Sequence, residues 1–202
     1  MNLRNINLFM LFLLFGIQSA RSDGGLSSNQ ALDIFLKEPI EKSFLNWQSE
    51  FNTTSVRCKQ QDRFDNNERD NLFRLIREEN LFALKIGLQS YSCWDGGELE
   101  DFYRSVGIFF DSNPADFFTM VHMQSIVLVD LRFMVSLLPL EMTDDFDRQI
   151  ELLDKRINSV KKFGNQSSTE TSQSLLNILT ESKAELERVK KEYETMPNQQ
   201  RH

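Results

Sequence analysis

Residues 117–140, FFTMVHMQSIVLVDLRFMVSLLPL, are the stretch whose reading decides the fold. Apolar side chains fill most positions, and no proline interrupts the run before Pro139. Read as one helix it is hydrophobic all round, so it must be surrounded by protein or by lipid. Its length suits a bilayer, but Asp130 and Arg132 stand in its second half. Each charge would cost roughly 3 kcal/mol at a bilayer centre. Two positions apart on a helix, they also cannot face one another. The expectation is a helix enclosed by the chain's own helices, with both charges reaching for an edge.

Upstream of this run the pattern stays helical. Ala31, Ile34 and Phe35 share one face, and Pro39 starts a second segment with Ile40, Phe44 and Trp47. Residues 52–67 are polar and read as a long loop. Leu72, Phe73, Leu75 and Ile76 then mark an inner side, Asn80 is a cap, and Leu81, Leu84 and Leu88 follow with Phe82 and Ile86 beside them. Cys93 to Gly97 reads as a turn, after which Glu98, Glu100 and Asp101 suit the positive end of a helix dipole. Pro114 occupies a favoured first-turn position. Phe102, Phe109, Phe110, Phe117 and Phe118 fall at helical spacing and are assigned to the core. No segment alternates at period two for long enough to argue a sheet. The succession of helix, tight turn and helix over residues 67–123 resembles an α-solenoid of the HEAT kind, and an irregular bundle would give the same pattern.

Downstream, Phe146, Ile150, Leu153, Ile157 and Val160 alternate steps of four and three, as do Leu175, Leu179, Ser182, Leu186, Val189 and Tyr193. Two such stripes joined by GNQSS read as an antiparallel helical hairpin, with Thr143 capping its first helix. The stripes also offer a seam for a homodimer. The fold class is therefore all-α: an irregular helical bundle or a short, HEAT-like stack of helix pairs over residues 31–140, then a two-helix hairpin and tail over 141–202.

The chain opens with the layout of a secretory signal peptide over residues 1–22: Arg4, the apolar run from Leu8 to Ile17, and small residues at Ala20 and Ser22. Cleavage is expected after Ala20 or Ser22, a retained anchor being the alternative. Residues 23–30 read as a flexible linker, and no membrane span is expected beyond the signal. Export to a periplasm or the exterior implies that the two cysteines, Cys58 and Cys93, form a disulfide. Closing that loop would contribute about 4 kcal/mol in the chain-entropy model. The formal net charge of −7, without a basic stripe, argues against nucleic acid and anionic membrane surfaces and permits a basic protein partner.

Specific chemistry is sparse. His122 is the one histidine inside the fold; it could serve as a general base with Asp116 or Asp130, but a core histidine is the expectation. Carboxylates cluster at Glu78 with Glu79, Glu98 with Asp101, and Asp144 with Asp145 and Asp147, where helix ends explain them without a catalytic pair. Residues 62–70, DRFDNNERD, lack the order and the glycine of a calcium loop. No nucleophile elbow, zinc-binding helix or phosphate loop occurs. Asn52-Thr53-Thr54 and Asn165-Gln166-Ser167 fit the glycan acceptor pattern. Trp94, beside Cys93, is expected to cover the disulfide, with a role as interface anchor the alternative, and Tyr193 is a further candidate interface residue. The sequence thus points to an exported, non-catalytic binding or scaffold protein of the bacterial envelope, without cofactor. An acidic inhibitor or immunity-type protein, and an enzyme built on His122, are the rivals.

Overall fold

Helices in this chain begin where a short polar side chain can accept from otherwise unpaired amides. In the computed structural model, which describes residues 27–53, 64–164 and 168–195, Ser27 and Gln30 form a reciprocal capping box at the start of α1 (Ser28–Lys37). That helix takes up Ser28 to Gln30 of the stretch read as a linker over 23–30, of which residues 23–26 lie outside the described ones. Residues 1–26, carrying the signal-peptide reading, lie outside the described residues. Then come α2 (Glu41–Thr53) and α3 (Asn66–Arg77), the latter opened by a second capping box between Asp65 and Glu68. The expected long loop is shortened at both ends, residues 54–63 being outside the described ones. Asn80 caps α4 (Leu81–Ser90) through the Ala83 amide and also donates to the Pro39 carbonyl at 2.9 Å. A short 3-10 turn, Tyr91–Cys93, leads into α5 (Gly96–Ser112), and Pro114 begins α6 (Pro114–Met123). After α7 (Leu128–Ser136), the chain finishes with α8 (Phe146–Phe163) and α9 (Thr169–Thr195). Asp145, not Thr143, caps α8; the Thr143 hydroxyl instead donates back to the Leu140 carbonyl. The protein is all-α, with no strand among the described residues.

The apolar run of residues 117–140 is two helices rather than one. Beyond Met123 the Ser125 amide donates to the His122 carbonyl and the Ile126 amide to the Val121 carbonyl, while Ser125 takes a left-handed φ of 52°. This is the hydrogen-bond pattern of a Schellman stop, built on serine where glycine is usual. Val127 then starts α7 in an extended conformation. The break lets the two halves bury different faces: Phe117, Phe118, Met120 and Val121 in α6, Leu131, Met134 and Val135 in α7. Enclosure is incomplete, because Met123, Val127, Val129 and Phe133 are exposed. No helix among the described residues is long and apolar enough to cross a membrane.

The helices pack in two rows. α1, α3, α5, α7 and α9 contact one another in succession, as do α2, α4, α6 and α8, and α8 also touches α5. Asp154 to Lys183 and Asp147 to Lys190, at 2.7 and 2.5 Å, pair α8 with α9 in antiparallel register. Leu153, Ile157, Val160, Leu175 and Leu179 are buried here, so this part of the stripes is closed to a second copy of the chain. Phe102, Phe109, Phe110, Phe117 and Phe118 are buried, as their spacing implied. Ala31 and Phe35 face the core as expected, with Leu32 beside them, whereas Ile34 and Ile40 are exposed.

One charged side chain sits at the junction of the rows. Arg156 of α8 is fully buried; its Nε and Nη2 reach both oxygens of Asp111 in α5 at 2.7 and 2.8 Å. Its Nη1 donates to the carbonyls of Val135 and Leu137, each at 2.8 Å, at the end of α7. Guanidinium thereby serves as a C-terminal cap delivered from another helix. Gly107 makes room: a Cβ there would lie 2.9 Å from the Met134 carbonyl oxygen and 3.0 Å from Nη2 of Arg156.

Candidate functional site

Between α5 and α7 lies an open groove of about 540 Å³. Helical spacing builds both walls. Leu99 and Tyr103 are four apart on α5, and Phe133 and Leu137 are four apart at the end of α7, so each pair shares a face. Val129, one turn before Phe133, extends the apolar surface. Val129 is 60% exposed and Phe133 is 47% exposed. Large side chains so placed forgo burial energy unless something covers them. The Tyr103 and Phe133 rings stack with centroids 5.7 Å apart and planes 8° from parallel.

Polar groups in the groove are few and oriented. Tyr103 donates its hydroxyl to Asp130 Oδ1 at 2.6 Å. Burial, then the hydrogen bond and charge of Asp130, push the Tyr103 phenol well above its ordinary value, and the same causes raise that of Tyr91. Asp130 is half-buried, and no lysine or arginine among the described residues stands within ion-pair distance of it. Arg104 is committed to Glu100 and to the Leu138 carbonyl. Arg132, expected like Asp130 to reach an edge, is exposed and donates to Ser174 of α9 at 2.7 Å. Raised phenols keep their protons at neutral pH, so Tyr103 remains a hydrogen-bond donor to Asp130 there.

The other sequence candidates lie elsewhere. His122 is exposed, not a core histidine, because α6 ends one residue later and turns it outward. It lines a second depression with Ile126, Leu131 and Thr171, whereas Asp130 faces the α5–α7 groove. Trp94 is 6% exposed and packs on Phe64, Phe73 and Phe102, so its surface is spent on the core. Tyr193 is 42% exposed, with its ring 5.9 Å from that of Phe146. The clustered acids serve as caps and ion-pair partners: Glu78 with Arg74, Glu98 with Arg69, Asp145 at the α8 start, Asp147 with Lys190. Glu79 accepts from Asn113, which with Ser112 holds its carboxyl below the ordinary value. Among the described residues no group of acids, histidines or cysteines could hold a metal ion. Cys58 and residues 165–167 lie outside the described ones; Cys93 ends the 3-10 turn, and the described residues include no free cysteine.

Sequence reasoning missed Phe133 and Val129 as surface residues because an unbroken apolar run hides which positions face out. With the break placed at Ser125, the spacing of Val129, Phe133 and Leu137 opposite Leu99 and Tyr103 would have marked the groove. No family model matches the chain, and neither curated proteins nor solved structures gave a match.

Proposed function

We propose that this is an exported, non-catalytic binding protein that seats a partner protein in the groove between α5 and α7. The observation that carries the reading is Phe133, a large aromatic left half in solvent over a wall of Leu99, Tyr103 and Leu137. Interfaces concentrate binding energy in such aromatic anchors, ringed by less important contacts. Two packed rows of helices supply a rigid frame for it, which limits the ordering cost of association.

Export belongs to the same proposal and is supported by the charged, apolar, small-residue order of residues 1–22. In that compartment Cys58 and Cys93 are joined, tying the segment before α3 to the end of the turn after α4. Peptide mass mapping of the unreduced protein checks the bond, and N-terminal sequencing of the exported form checks cleavage after Ala20 or Ser22.

The binding reading is tested by proximity crosslinking in the source cell's envelope, comparing wild type with Phe133→Asp. Proteins captured by wild type should be lost with the variant, while its thermal melt should fall by only a few degrees, since the half-exposed ring gives up its stack on Tyr103 and little else. Identical capture by both proteins would remove the groove from consideration.

A further inference from the structure

We infer that the groove is matched to a protein segment presenting a lysine or arginine between apolar residues, its cation meeting Asp130. This rests on the partner-binding reading of the groove and adds the chemistry of what binds there. Asp130 lies at the groove wall, half-buried, and accepts the Tyr103 hydroxyl at 2.6 Å without a cation among the described residues in ion-pair range. The arginines of the two wall helices are engaged elsewhere: Arg104 with Glu100 and the Leu138 carbonyl, Arg132 with Ser174. Glu100, the other acid of the lining, is paired with Arg104, which leaves Asp130 as the lining carboxylate without a cation partner among the described residues, in a chain of formal charge −7.

Covering this surface with a neutral apolar segment would strip water from the Asp130 carboxylate and give nothing in return. An acidic segment would add repulsion. A lysine or arginine resolves the conflict. Its methylene stem can lie along the exposed part of the Phe133 ring while its head reaches the carboxylate, and an aromatic ring itself attracts a cation. Flanking apolar residues then cover Leu99, Leu137 and Val129. The carboxylate therefore selects, and the apolar walls supply affinity.

A random-peptide phage library selected against the full-length protein tests this directly, with Asp130→Asn and Phe133→Ser proteins selected in parallel. Wild type should enrich sequences with a lysine or arginine between apolar residues, and Phe133→Ser, which removes the apolar anchor without adding charge, should enrich none of them. A synthetic selected peptide should bind Asp130→Asn about 10-fold or more weakly, the loss typical of removing one member of a close charge pair. Replacing the peptide's lysine by norleucine should weaken binding to wild type comparably and leave binding to Asp130→Asn nearly unchanged. The peptide change reads the same contact without touching the fold of the protein. Groove-dependent peptides that lack a basic residue, or whose lysine matters equally to Asp130→Asn, overturn the inference and leave the binding reading standing. No enrichment, or enrichment indifferent to Phe133→Ser, overturns both.

Discussion

Replacing Arg156 by methionine asks whether one buried cation holds the rows, and through them the groove, together. The substitution keeps much of the side-chain volume and removes four hydrogen bonds, two to Asp111 and two to the Val135 and Leu137 carbonyls. Asp111, whose side chain is only 12% exposed, is left without its guanidinium. Breaking one side of a buried pair typically costs about 3–5 kcal/mol, because the remaining charge stays uncompensated. The freed carbonyls at the end of α7 add to this to the extent that water cannot reach them. Against a total stability of about 5–15 kcal/mol for an ordinary domain, that loss is severe. Urea unfolding followed by helical circular dichroism should show it, as should a melting temperature lower by about 6–20 °C for a chain of this size. Because Leu137 lines the groove and Phe133 is one turn away, the selected peptides should also bind more weakly below the melting range. The double variant Arg156→Met, Asp111→Leu should recover about 2 kcal/mol or more, since no orphaned carboxylate remains. A single-variant cost below about 1 kcal/mol would refute the reasoning, as would a double variant that simply adds the two single losses.

Gly107→Ala should cost about 1–3 kcal/mol in the same urea assay, since its Cβ would press on a backbone carbonyl 2.9 Å away that cannot rotate aside; a neutral result would mean α5 and α7 are less closely apposed. Ser125→Gly should stabilise by about 0.5–1 kcal/mol, relieving a left-handed serine at an exposed helix stop, and any loss of stability would argue against the Schellman geometry. Tyr103 holds its proton more tightly in the folded chain than the ordinary phenol value of 10.0 allows. The corresponding stabilisation is intact below that value and is lost as pH rises from there toward the native one. Urea midpoints measured from about pH 9 to about pH 11 should therefore fall less steeply for Tyr103→Phe than for wild type, and parallel curves would refute the assignment.

Much of the architecture was legible because helical signals are local. Asn80 and Pro114 mark helix starts through their own backbone chemistry, and the phenylalanines from Phe102 to Phe118 repeat at a spacing only a helix turns inward. Thr143 misled because a threonine, two aspartates and a helical run satisfy the capping rule at more than one register; the neighbouring 3-10 turn gave the position to Asp145. The groove was not legible. Tyr103 and Asp130 are 27 positions apart, and Arg156 and Asp111 are 45 apart, so neither pairing leaves a periodic trace.

By itself, the sequence determined that the chain is helical, that the phenylalanines from Phe102 to Phe118 fill the interior, and that helix starts fall at particular polar residues. Each of these follows from interactions within a few turns. Only the tertiary structure decided that the longest apolar run stops at Ser125, that Phe133 faces out, and that Arg156 closes the end of α7 from another helix. Periodicity says which residues share a face. It does not say whether a neighbour covers that face, because burial is a property of the packed helices together.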